Sequence, residues 1–166
     1  MSIGICGYID YLSDNISEEI DFSYFIMRES ITYKVGCKLG GNISQDAYSI
    51  MENEMSSNGI SFEIMDTPLD NFANDICQPS ISINDPSEID INNKICSNVG
   101  NLQEFLQSIL NYEKVNQIVI YFNYEFLQDN YKEERIDINI LKSTILDNYK
   151  KNDLFAPTLV LRISRY

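Results

Sequence analysis

The chain has no histidine. That removes Ser-His-Asp and Cys-His nucleophilic machinery, the H-E-x-x-H zinc site and every acid–base role of an imidazole. Its four cysteines, Cys6, Cys37, Cys77 and Cys96, are widely spaced and form no C-x-x-C pair. They are expected to be buried thiols rather than metal ligands or a disulfide framework. No apolar run approaches the roughly 20 residues of a membrane span. The first residues, Met-Ser-Ile-Gly-Ile-Cys-Gly-Tyr, carry no basic leader, so the expectation is a cytoplasmic protein. Phosphate cradles are missing too. Gly36-Cys37-Lys38-Leu39-Gly40-Gly41 matches neither a P-loop nor G-x-G-x-x-G and reads as a turn. Asp85 to Asp90 lacks the central glycine and ligand spacing of an EF-hand. No lysine has an acid two residues before it, as some metal-dependent nucleases do.

The sharpest absence is local. Between Leu39 and Asn93 there is no lysine or arginine, while the same stretch holds ten carboxylates: Asp46, Glu52, Glu54, Glu63, Asp66, Asp70, Asp75, Asp85, Glu88 and Asp90. The 166-residue chain has a formal net charge of −13, so ten of the thirteen net charges fall in this third. The remainder is nearly balanced, with fifteen acids against twelve bases. Such a field repels nucleic acid and anionic membrane and attracts cations or basic proteins. Contact with a phosphate backbone needs Lys and Arg. The one basic-leaning region, 132–165, has seven bases against five acids and no arginine–aromatic run.

With 44% hydrophobic and 22% charged residues, the composition is that of a globular domain able to bury a core. Hydrophobic periodicity predicts a single α+β domain over 1–166, with a central mixed or mostly antiparallel sheet and about three helices. Residues 2–12 read as a strand. Residues 17–29 are ambiguous, and the alternation of Ile20, Phe22, Tyr24 and Ile26 favours a strand after Asp21. Ile31, Tyr33, Val35, Cys37 and Leu39 alternate with polar or small residues and predict another strand. Gly40-Gly41-Asn42 predicts a turn. Ser44 and Thr67-Pro68 open two predicted helices, on the stripes Ala47/Ile50/Met51/Met55 and Leu69/Phe72/Ala73/Ile76. Between them, Ile60, Phe62 and Ile64 predict a strand. Residues 80–92 read as a hairpin about Asp85-Pro86-Ser87. A helix is predicted from about Asn101, burying Leu102, Phe105, Leu106, Ile109 and Leu110. Gln117 to Phe122 reads as a central strand. Residues 123–135 read as a loop or arm. Asp137 caps a helix with Ile138, Leu141, Ile145 and Tyr149 on one face, and Ala156 to Arg165 closes the chain as a strand.

In this reading each element between 44 and 92 turns its apolar side inward and its carboxylates outward. Single acids on such a face are ordinary solvated charge. Exclusion of every base over fifty-five residues points to a use for the field, because ordinary surfaces mix both signs. Carboxylate-only chemistry survives in principle as a glycosidase or magnesium pair, from Glu63 with Asp66 or Glu88 with Asp90. Proximity in sequence is the only support for it. The chain is therefore read as a non-enzyme, with no catalytic residue, cofactor or metal.

Small size, strong acidity, absence of a leader and an α+β build make the chain similar in type to the immunity proteins of contact-dependent growth inhibition and related polymorphic toxin systems. The closing segment Asp153-Leu-Phe-Ala-Pro-Thr-Leu-Val-Leu-Arg-Ile163 also resembles terminal strands in such families. The resemblance implies a bacterial cytoplasmic antidote that binds and neutralises a cognate basic toxin domain, such as a nuclease, by occluding its active or substrate-binding surface. It carries no binding residues over. The partner-binding set rests on charge alone: Glu52, Glu63, Asp66, Asp70, Asp75, Glu88 and Asp90. Two alternatives stay open, a nucleic-acid mimic directed at a DNA-binding protein and a regulatory interaction domain. No direct contact with nucleic acid or membrane is expected, and the oligomeric state is left open, although a hairpin at 80–92 would offer a pairing edge.

Overall fold

The structure, a computed structural model, describes residues 5–40, 59–65, 86–122, 131–151 and 158–164. For 86–95 it describes the backbone only. Strand β1 (Ile5–Tyr11) has buried residues of both parities, Ile5, Ile9 and Tyr11 on one side and Cys6 and Tyr8 on the other. Such a strand belongs in the middle of a sheet. It pairs antiparallel with β3 (Ile60–Ile64) and with β4 (Val115–Phe122). β2 (Cys37–Leu39) adds antiparallel to β3 at one edge. β6 (Thr158–Ser164) adds antiparallel to β4, and β5 (Tyr131–Asp137) lies parallel to β6 at the other edge. Among the described residues this is a mixed, mostly antiparallel six-stranded sheet in the order β2-β3-β1-β4-β6-β5.

Among the described residues three α-helices lie on one face: α1 (Ile16–Thr32), α2 (Pro86–Leu110) and α3 (Leu141–Lys151). Their inward residues, including Phe22 and Ile26, Leu102, Phe105 and Ile109, and Leu141 and Ile145, form one cluster with Ile5, Ile9, Ile118, Ile120, Leu161 and Ile163 of the sheet. The fold is therefore α+β about a single core, as the periodicity predicts. Strands β1, β3, β4 and β6 fall where they were expected. The alternation in β3 buries Ile60, Phe62 and Ile64 and leaves Ser61 and Glu63 half-buried. Asp137 is a cap: its Oδ1 accepts from the backbone N–H of Asn139 at 2.8 Å and opens a short 3-10 turn (Ile138–Ile140) that runs into α3. Gln103 on α2 supplies a second cap, accepting from the Lys142 N–H at 2.7 Å.

Four expectations are corrected. Residues 17–29 form a helix, not a strand. Asn15 caps it by accepting from the Glu18 N–H at 2.9 Å, and Glu18 in turn accepts from the Asp14 N–H at 3.0 Å. The strand predicted over 31–39 shrinks to β2, because Ile31 and Thr32 are the last turn of α1. That turn closes as a Schellman motif. Val35 N–H donates to Ser30 O and Lys34 N–H to Ile31 O, with Lys34 left-handed at φ 57. Residues 86–92 are the start of α2 rather than a hairpin arm. Pro86 opens that helix, where a missing N–H costs nothing. In addition, 131–135 is strand rather than arm: it is the first part of β5, whose Tyr-Lys-Glu-Glu-Arg-Ile-Asp sequence is too polar to announce itself. Gly40 turns out of β2 at φ +62, as the predicted turn requires. The helices expected after Ser44 and Thr67 lie outside the described residues.

Candidate protein-binding surface

Three of the seven carboxylates chosen from sequence lie among the described residues. Glu63 is on β3, on the sheet face away from the helices, half-buried. Its register partners are Cys6 on β1 and Lys38 on β2. Lys38 is the last base before the base-free stretch, so the fold places opposite charges at directly facing positions there. Glu88 and Asp90 lie in the first turns of α2. Two residues apart on a helix is about 200° around its axis, so their backbone positions do not share one face as alternate residues of a strand would. Glu52, Asp66, Asp70 and Asp75 lie outside the described residues.

A different surface emerges from α1, and sequence reading missed it. Ile16, Ile20, Tyr24, Met27 and Ile31 are all exposed, with Ile16 at 76%, Tyr24 at 72% and Ile31 at 77%. Spacings of four, four, three and four place them in one stripe about 80° wide. About 120° round the same helix lie Phe22, Ile26 and Ser30, all buried. Phe22 stacks on Tyr11 at 4.0 Å between ring centroids, and Tyr112 closes the group at 4.7 Å from both Phe22 and Phe25. Burial pushes the Tyr11 phenol up from its ordinary pKa. The spacing 16/20/24/27/31 was the available signal. It was hidden because the two apolar sides together imitate the period of a strand.

The start of α1 is latched by charge. Lys114, in the α2–β4 turn, reaches Asp14 at 2.7 Å and Glu18 at 2.9 Å. The Asp14 backbone N–H and the Lys114 ammonium hold the Glu18 carboxyl below its ordinary range, and the two carboxylates raise Lys114. These are structural ties, and they consume the acids that border the inner side of α1. Of the thiols among the described residues, Cys6 and Cys37 are buried and Cys96 is half-buried, and none is in a disulfide. Burial pushes the Cys37 thiol up to about 12, which is the state of a core residue rather than a nucleophile.

At the far edge, Arg162 on β6 donates to Glu133 on β5 at 2.6 Å, and Lys132 pairs with Glu134. Charged side chains on an edge strand deter pairing with another sheet. Among the described residues no group of three or more Cys, Asp or Glu is placed to hold a metal ion, and no helix is long and apolar enough to cross a membrane. Comparison with protein families, with curated proteins and with solved structures finds no match to this chain.

Proposed function

We propose that this chain is an acidic inhibitor of the immunity type: it binds a basic toxin domain, such as a nuclease, in the cytoplasm and neutralises it by covering its active or substrate-binding surface. The observation that carries the reading is the charge distribution, −13 overall with ten carboxylates and no base between Leu39 and Asn93. Opposite fields steer encounter, with association rates reaching roughly 10⁸–10⁹ M⁻¹s⁻¹ at low salt. Close opposite charges across such an interface couple by roughly 1.5–7 kcal/mol each. An inhibitor of this kind needs no catalytic group, so the lack of histidine costs it nothing.

The test is affinity capture with the tagged chain from lysate of the source organism at low and at moderate salt, followed by an activity assay on whatever is held. Capture of one basic toxin domain whose activity is lost on adding an equimolar amount of this chain supports the reading. Capture of a DNA-binding host enzyme, competed off by DNA, replaces it with nucleic-acid mimicry. Retention of nothing at moderate salt refutes both.

A further inference from the structure

The outer stripe of α1 is exposed and lies outside the core cluster of the described residues. Scattered exposed apolar residues are ordinary, but a contiguous row rimmed by polar groups marks a contact surface. Its residues line a shallow hollow of about 420 Å³ formed by Ile16, Glu19, Ile20, Ser23, Tyr24 and Met27. From Ile16 to Ile31 the row runs about 22 Å at 1.5 Å per residue, the length of a four-turn helix laid alongside.

The charges around the hollow select the occupant. Glu19 is exposed and makes no ion pair among the described residues, and it is the only carboxylate lining the hollow. Asp21 is exposed beyond the opposite side of the stripe. Arg28, the single base on α1, is directed elsewhere, with its guanidinium 5.5 Å from the Phe25 ring centroid and 3.9 Å from Glu29. The row is thus bordered by Glu19 on one side and, on the other, by Asp21 and an Arg28 turned toward Phe25, so the one charged group lining the hollow itself is a carboxylate. A second copy of the chain would bring two such borders together, each on a body of charge −13. An anionic bilayer would meet the same repulsion.

We propose that the outer face of α1 is the docking face for the inhibited protein, and that it receives a basic amphipathic helix. Apolar side chains of the partner seat on Ile16, Ile20, Tyr24 and Met27, and a Lys or Arg reaches Glu19. This rests on the reading of the chain as an inhibitor of a basic protein. It moves the centre of the interface from the acid-rich stretch to α1, and it gives the acid-rich stretch the role of long-range attraction. The arrangement is a helix in an apolar groove with charges at the rim, in which the apolar anchors carry the affinity.

The experiment uses the full chain and a fluorescent synthetic peptide about four turns long, with leucine on one face and lysine on the other. Two reference peptides replace every lysine by glutamate or every leucine by serine. Anisotropy titration at moderate salt is expected to show the leucine–lysine peptide binding at least about tenfold more tightly than either reference. The double variant Ile20→Ser/Tyr24→Ser is expected to lose at least about tenfold, and Glu19→Gln is expected to flatten the salt dependence. These positions are exposed, so unchanged far-UV circular dichroism accompanies each variant. Equal binding by wild type and the double variant overturns the proposal. So does equal binding of the glutamate peptide. A concentration-dependent dimer in sedimentation velocity that the double variant abolishes overturns it in favour of a second copy. Capture from lysate separates this inference from the reading it rests on. A toxin held equally by wild type and the α1 double variant, but released by Glu52→Gln/Asp70→Asn/Asp75→Asn, sinks the docking face and keeps the inhibitor.

Discussion

Replacing Gly7 and Gly100 by alanine should move stability in opposite directions. Gly7 is in the middle of β1, in register with Phe62 on β3 and Ile120 on β4. A Cβ there would lie 2.2 Å from the Val119 carbonyl oxygen, 2.7 Å from Phe62 Cζ and 3.0 Å from Phe62 Cε1. The ring is buried and surrounded, and the carbonyl belongs to the backbone of the adjacent strand, so neither yields cheaply. Overpacking of a core costs roughly 1–3 kcal/mol, and a clash with backbone belongs at the top of that range. For a domain of this length about 3 kcal/mol lowers Tm by roughly 6–12 °C. Gly100 is inside α2, and a Cβ there meets only the flexible end of Lys142, with Nζ at 3.5 Å. Alanine in a helix interior gains about 0.5–1 kcal/mol over glycine, which raises Tm by roughly 1–4 °C. Urea unfolding followed by far-UV circular dichroism reads both variants. Gly7→Ala/Phe62→Leu should recover only part of the loss, because the Val119 carbonyl stays in place. A Gly7→Ala protein within about 0.5 kcal/mol of wild type, or both variants shifting the same way, would show that the β1–β3–β4 packing described here is wrong.

Lys34→Gly should stabilise by about 1 kcal/mol, since it removes a side chain from a left-handed position at the end of α1; an unchanged urea midpoint would contradict the Schellman geometry. Glu18→Gln tests the Asp14–Glu18–Lys114 latch by pH. A carboxyl with its pKa held down in the folded state stabilises above its ordinary value of 4.5 and loses that contribution as pH falls through the folded value. The Tm difference between wild type and Glu18→Gln should therefore be full at neutral pH and shrink steadily below 4.5. Lys114 has the opposite sense: its contribution is complete below 10.5 and is lost only at still higher pH. Iodoacetamide at pH 8 should leave Cys6 and Cys37 unmodified in the folded protein and label both after denaturation, as read by peptide mass spectrometry.

Elements with a single clean hydrophobic pattern were legible. β3 shows a clean period of two, the second half of α2 a clean 3.6-residue period, and β4 the unbroken apolar run of a central strand. α1 was not legible because it has apolar residues on two sides. Phe22 and Ile26 enter the core while Ile20 and Tyr24 face out, so the sequence between them alternates as a strand would. The cap at Asn15 with Glu18 three residues on was the local signal that outweighs that alternation. β5 was illegible for the reverse reason. Among the described residues it is an edge that pairs with β6 alone, and its Lys132, Glu133, Glu134 and Arg135 fit that position by being charged. The candidate surface followed the same pattern. Charge counted along the sequence overlooked the strand pairing that sets Lys38 opposite Glu63, and the apolar row on α1 could be read only once 16–32 was known to be helix.

The pairing of β1 with β4 sets how this chain is made. Residues 5–11 find their main partner at 115–122, so the centre of the sheet closes a loop of more than a hundred residues. At synthesis rates of roughly 5–20 residues per second, β1 waits about 5–20 s before β4 leaves the ribosome. During that wait its apolar residues have β3 as their only strand partner among the described residues. Closure of so long a loop belongs to the slow class of folding events. The centre of the sheet therefore cannot close until β4, and then β6, has been made.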